Sequence, residues 1–217
     1  MQHFKYSLLW LLLLASTTIS ARSIPTINAD KAHEAARQQV VWRDRVCPLA
    51  TLANDFLESI YGKTSYKGLS SVQVLYGWHL RPDVWKDEPM ILISDTNLRS
   101  QLGIEGEYAK FSELFDDTLS YRLNTLGADL PEKMRQMVRE SVPAIELDEK
   151  VGMIILLTQG KLIVPRPETM APLSSWRIEA EILYNEIPVY VFFVIIGVVC
   201  GGLAIVRKLG ILGWKRP

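Results

Sequence analysis

The stretch Arg45–Ser94, RVCPLATLANDFLESIYGKTSYKGLSSVQVLYGWHLRPDVWKDEPMILIS, decides the fold. Pro48 opens a helix in which Leu49, Leu52, Ala53, Phe56, Leu57 and Ile60 recur at three- and four-residue spacings and build one apolar stripe. Gly62 stops it. After the polar linker Lys63–Gly68, Ser70 or Ser71 caps a second helix that carries Val72, Val74, Leu75 and Trp78. Two helices joined by a polar, glycine-bounded loop form a hairpin.

The loop of that hairpin has the clearest surface chemistry in the chain. Lys63 and Lys67 flank Tyr66, and Gly62 and Gly68 allow the backbone to come close to a partner. A basic, aromatic loop of this kind suits an anionic ligand such as a haem propionate, or lipid headgroups; it equally suits a solvated turn. His79 follows between Trp78 and Trp85, and a histidine in an aromatic setting can ligate haem iron. A single histidine without a partner at ligand spacing is also what an ordinary surface or core position shows. The residues expected to touch a cofactor are therefore His79, Trp78, Lys63, Tyr66 and Lys67. No metal site and no catalytic set is expected. The adjacent carboxylates Asp116–Asp117 and Asp148–Glu149 point about 100° apart on a helix and read as solvated surface.

Before this core, Ser23–Ile27 is an extended lead-in, and Asn28 or Asp30 caps a short helix through about Gln39. His33 lies on it among Glu34 and Arg37, on a solvated face. Val40–Trp42 is a short strand leading into the turn Arg43–Asp44–Arg45. Beyond the core, Met90–Ser94 is the best strand, and Asp95 or Thr96 caps a helix that Gly103 stops. A further helix runs from Ser112 past Leu114, Phe115, Leu119 and Leu123 to Gly127. Asp129 caps the next, with Met134, Met137 and Val138 inward and Pro143 as its break. Val151–Leu157, ended by Gly160, reads best as a buried helix and less well as a hairpin. Pro165–Arg166–Pro167 then stiffens a connector to a helix from Trp176 to Asn185, capped by Ser174 or Ser175, whose Trp176 and Tyr184 suit a membrane interface.

The 217 residues are 48% hydrophobic, 22% charged and 9% aromatic, enough to bury one core, and the balance of 24 basic and 24 acidic side chains offers no field to draw nucleic acid. The two ends speak for export. Residues 1–21 have the layout of a signal peptide, or of an uncleaved anchor, with Lys5 before a leucine run and Ser20 and Ala21 after it. Residues 187–206 carry no charge and match a transmembrane helix, and the basic tail 207–217 then lies in the cytoplasm by the positive-inside rule. The expected organisation is a periplasmic helical domain over 22–172, a juxtamembrane helix over 173–186, and that span. The expected fold is mainly α, with a short strand element, anchored by one C-terminal transmembrane helix in a bacterial inner membrane. Cys47 and Cys200 are not expected to pair, since one belongs to the exported domain and the other to the span. Cys47 is either a small buried residue beside Pro48 or a thiol that meets a redox partner.

The segments IPTINADKAHEAARQQVV, RVCPLATLANDF, GKTSYKGLSSVQVLYGW, WKDEPMILI and LGIEGEYAKF, in this order, resemble the periplasmic segment of system II cytochrome c biogenesis proteins, the ResB/CcsA-type haem-handling family. The resemblance runs from about Ile24 to the membrane stem. It implies transport of haem across a membrane and its attachment to an apocytochrome outside, with a multi-span haem-handling subunit, apocytochrome c and membrane lipid as partners. The chain departs from that pattern: it lacks the family's tryptophan-rich haem motif, has one span instead of many, carries no CxxCH, and has Asp44 where the family's glycine is expected. The expectation is a component of cytochrome c assembly that docks beside the haem-delivery subunit or the apocytochrome and has no catalysis of its own; the alternative is an interaction domain unrelated to haem.

Overall fold

The computed structural model describes residues 24–128, 131–187 and 189–208. The first helix, α1 (Ala29–Ala35), starts where Asn28 accepts the amide of Lys31, and is shorter than expected because the chain turns after Ala36 into β1 (Gln39–Trp42). β1 folds back on β2 (Arg45–Pro48), with Val40 opposite Cys47 and Val41 opposite Val46. The two turn residues, Arg43 at φ 48° and Asp44 at φ 60°, both lie in the left-handed region that a two-residue hairpin of matching twist requires. Arg45–Pro48 is thus a strand and not only the approach to a helix.

Pro48 then leads into α2 (Leu49–Tyr61), whose expected stripe is entirely buried and whose end is Gly62 at φ 77°. The segment expected as a polar linker contains a second small hairpin, β3 (Ser65–Tyr66) and β4 (Leu69–Ser70), turned at Lys67 and Gly68, both at positive φ. α3 (Ser71–Leu80) follows with a complete capping box between Ser70 and Gln73, and packs along α2. After the single turn α4 (Pro82–Trp85) comes β5 (Ile91–Leu92), shorter than the expected strand. It pairs with β6 (Tyr108–Ala109) across α5 (Thr96–Leu102), which Asp95 caps and Gly103 ends.

The long helix expected from Ser112 to Gly127 is broken. A 3₁₀ turn at Phe111–Leu114 and the short α6 (Arg122–Thr125) flank a loop in which Asp116 Oδ1 accepts the amides of Thr118 and Ser120 and the hydroxyl of Thr118. Those side-chain bonds offer the backbone an alternative to the helical ladder. In α7 (Glu132–Arg139) Met134 and Met137 face solvent instead of turning inward; Asp129, its expected cap, lies outside the described residues. α8 (Val142–Thr158) has Pro143 in its first turn instead of serving as a break, and its buried face rests on α3. β7 (Val164–Pro165) adds a third strand to β1, giving the order β2–β1–β7; proline is tolerated there because β7 is an edge.

The last two helices are α9 (Ser175–Glu186) and α10 (Val189–Lys208). α9 is docked. Glu179 holds Arg37 through two bonds at 2.7 and 3.0 Å, Glu181 takes Arg45 and the hydroxyl of Thr51 at 2.8 Å each, Asn185 donates to Thr51, and Ile182 is buried beneath.

The expected fold class needs correction on both counts. The protein is mixed α/β, with antiparallel strands in three small sheets, because the turns after Trp42 and Tyr66 are hairpin turns and not loops between helices. Among the described residues no helix is long and apolar enough to cross a membrane, so the anchor expected at 187–206 is not supported. Ile187 ends α9 in an extended conformation, which separates it from α10. The expected signal segment, 1–21, lies outside the described residues.

The centre of the core is aromatic. Trp85 is fully buried with its Nε1 donating to the carbonyl of Pro25 at 2.9 Å, and its ring lies against Gly77, where an added Cβ would come within 2.3 Å of it. Gly77→Ala forces the indole or α3 to move and is expected to cost about 1–3 kcal/mol, read as an earlier urea midpoint with an unchanged slope. A second expectation concerns α9. The hydrogen bond from Arg37 holds the Glu179 carboxyl below its ordinary value of 4.5. Its contribution is therefore complete above that value and disappears as pH falls through the lower folded-state value. Hydrogen exchange of α9, corrected for intrinsic rates, should lose protection in that acid window, and Glu179→Gln should remove the pH dependence attached to this pair.

Candidate functional site

The five residues singled out in the sequence fall into two places. Lys63, Tyr66 and Lys67 gather around the β3–β4 hairpin. Tyr66 is 2% exposed; its ring meets Tyr61 edge-on at 5.0 Å and Trp85 at 6.1 Å, and its hydroxyl donates to Glu88 at 2.7 Å. Burial, and then the bond to Glu88, push this phenol well above its ordinary range, so it stays a neutral donor. Lys67 donates to the same Glu88 oxygen at 2.7 Å and sits 5.1 Å above the Tyr66 ring, while Lys63 sits 5.5 Å above Tyr61. Two ammonium groups are thereby held on one aromatic wall, with Tyr108 behind it at 4.8 Å from Tyr61.

Trp78 and His79 lie toward the other end of α3, about 13 Å along its axis from the hairpin. Trp78 is 1% exposed, donates to the sulfur of Met90 at 3.1 Å and packs on Trp85 and Phe111. It offers no open face to a planar ligand. His79 is half-buried, with Nδ1 at 3.1 Å from the carbonyl of Leu157 near the end of α8. A carbonyl only accepts, so Nδ1 carries the proton in this bond and Nε2 is left as the acceptor of the neutral ring.

These positions limit what a haem could do here. Tyr66 and Trp78 are consumed by the core, and the hairpin lysines and His79 lie toward opposite ends of α3. The residues therefore do not form an enclosed haem pocket, and such a group could meet Lys63, Lys67 or His79 only from outside. Among the described residues no group of three or more His, Cys, Asp or Glu side chains is placed to hold a metal ion. Asp116 is occupied by its turn, which also lowers its pKa through the bond from Thr118.

Two features escaped the sequence reading. Glu88 organises the hairpin by accepting from both Tyr66 and Lys67, and an acidic residue 22 positions from a buried tyrosine gives no local signal. Lys150 is 4% exposed, with its ammonium on the carbonyl of Leu92 at 2.7 Å and on Glu146 at 2.6 Å, beside a cavity of about 310 Å³ lined in part by Asp95 and Pro143. The i, i+4 spacing of Glu146 and Lys150 was visible, but its burial was not.

No protein-family model matches the chain. Over 136 residues, 61% of its length, it is 28% identical to Protein NrfI of Wolinella succinogenes, and the chain spans 15% of the length of that relative. The relation is thus distant and partial on both sides.

Cys47 is free and fully buried on β2, and burial pushes its thiol up to about 11. In the folded protein it is expected to resist iodoacetamide at pH 8 and to react only on unfolding in urea. Prompt native-state alkylation at Cys47, mapped by mass spectrometry, would restore a redox role.

Proposed function

We propose that this domain is a docking module of cytochrome c maturation, working on the periplasmic side beside a multi-span haem-handling subunit or its apocytochrome substrate. The observation that carries the reading is the similarity to NrfI over 136 residues, which loosely supports a relation to cytochrome c biogenesis and agrees with the order of motifs in the chain. The domain acts by binding. Its contact surface is the β3–β4 hairpin, where a two-residue turn and the bond to Glu88 fix the direction of Lys67 and the Tyr61 ring supports Lys63. Little ordering entropy is then lost when an acidic partner surface or a propionate is met.

The buried state of Tyr66 and Trp78 favours a second reading, an interaction domain unrelated to haem, because the aromatic residues are explained by packing alone. The two readings separate in cells. Lys63→Gln with Lys67→Gln leaves the core intact and, on the first reading, lowers c-type cytochrome content several-fold and weakens co-purification with the haem-handling subunit, at unchanged Tm. Full cytochrome content in that double variant favours the second reading.

A further inference from the structure

A cavity of about 400 Å³, whose lining includes neither Lys63 nor Lys67, lies between α1, α2, the start of β3, the start of α3 and α9. Its wall is made of small and neutral polar residues, among them His33, Asn54, Thr64, Ser65 and Ser71, and no aspartate, glutamate, lysine or arginine lines it. The start of α3 faces it. Ser70 caps the amide of Gln73, but the amides of Ser71 and Val72 have no acceptor, as the first positions of a helix do not bond within it. Ser71 lines the cavity, is 6% exposed, and its hydroxyl has no hydrogen-bond partner. The Ser71 oxygen is not sealed in the core, so it is available to a group that enters the cavity.

We propose that this cavity is a binding site for a small oxyanion, a phosphate or a carboxylate. The amides of Ser71 and Val72 and the hydroxyl of Ser71 donate to it, and the positive end of α3 supplies an attraction equivalent to about half a charge. The absence of carboxylates from the wall removes the repulsion that would oppose an anion. Thr64, Ser65 and Asn54 supply further neutral donors, and His33 stands at the exposed side. Because Ile182 and Asn185 of α9 close one wall, anion binding and the docking of α9 support each other. The site does not depend on the docking role assigned to Lys63 and Lys67.

The test uses the purified full chain with inorganic phosphate in one arm and acetate in the other, each against chloride at equal ionic strength. At about ten times its dissociation constant the bound anion should raise Tm by about 3–6 °C, rising further with the logarithm of concentration, and should shift the backbone amide resonances of Ser71 and Val72 saturably. The arm that responds at the lower concentration identifies the source. Ser71→Asp places a carboxylate at the same helix start, where it is compatible with folding, and should abolish the response in both arms. No stabilisation in either arm, or an equal one in Ser71→Asp, overturns the site. If that variant fails to fold, stationary Ser71 and Val72 amides in the natural protein overturn it alone.

Discussion

The indole of Trp85 occupies the space that a side chain at position 77 would need, and the rest of the domain is arranged around that close approach. One edge of the ring reaches the lead-in through the carbonyl of Pro25, its faces meet Tyr66 and Trp78, and its position on α4 fixes where the chain departs toward β5. A glycine at the crossing lets the ring lie directly on the backbone of α3. The helical hairpin, the small basic hairpin and the lead-in are thereby joined at one apolar point with little room for alternatives, which is how a core of interlocking shapes specifies a single packing.

Glu88 shows how a charge can be used twice in such a setting. Its side chain is mostly covered, yet it accepts from a neutral phenol and from an ammonium at the same oxygen. The phenol satisfies it from the core side and the ammonium from the solvent side. The arrangement ties the exposed turn to the buried aromatic cluster, so the orientation of Lys67 follows from the packing of Tyr66.

Much of this was legible in the chain. The stripe from Leu49 to Ile60, the stops at Gly62 and Gly103, and the caps at Asn28, Ser70 and Asp95 are local signals, and local chemistry settles them. The errors have a common cause. Arg43–Asp44 and Lys67–Gly68 are hairpin turns in which three of four residues are not glycine, so the usual Asn-Gly mark is missing; Val40–Trp42 reads as a strand, but its partner Arg45–Pro48 and both strands beside Lys67–Gly68 pass for coil or a helix approach. Met134 and Met137 have helical spacing and nothing to pack on; a period can say which residues share a face but not whether another element covers it. Lys63, Tyr66 and Lys67 lie together on one hairpin as their spacing suggests, whereas Trp78 and His79, near in sequence, are carried to the far end of a helix of ten residues. The cavity at the start of α3 was out of reach, since it is assembled from elements spread over some 150 positions.

The latch between Arg37 and Glu179 joins the end of the first helix to a helix 142 positions later, and Thr51 is held from the same side by Glu181 and Asn185. Entry and exit of the domain are therefore neighbours. A unit closed in this way can be carried as a cassette: segments attached before and after it leave from one side, and their length does not strain the core. Evolution can join such a cassette to longer architectures without redesigning its interior.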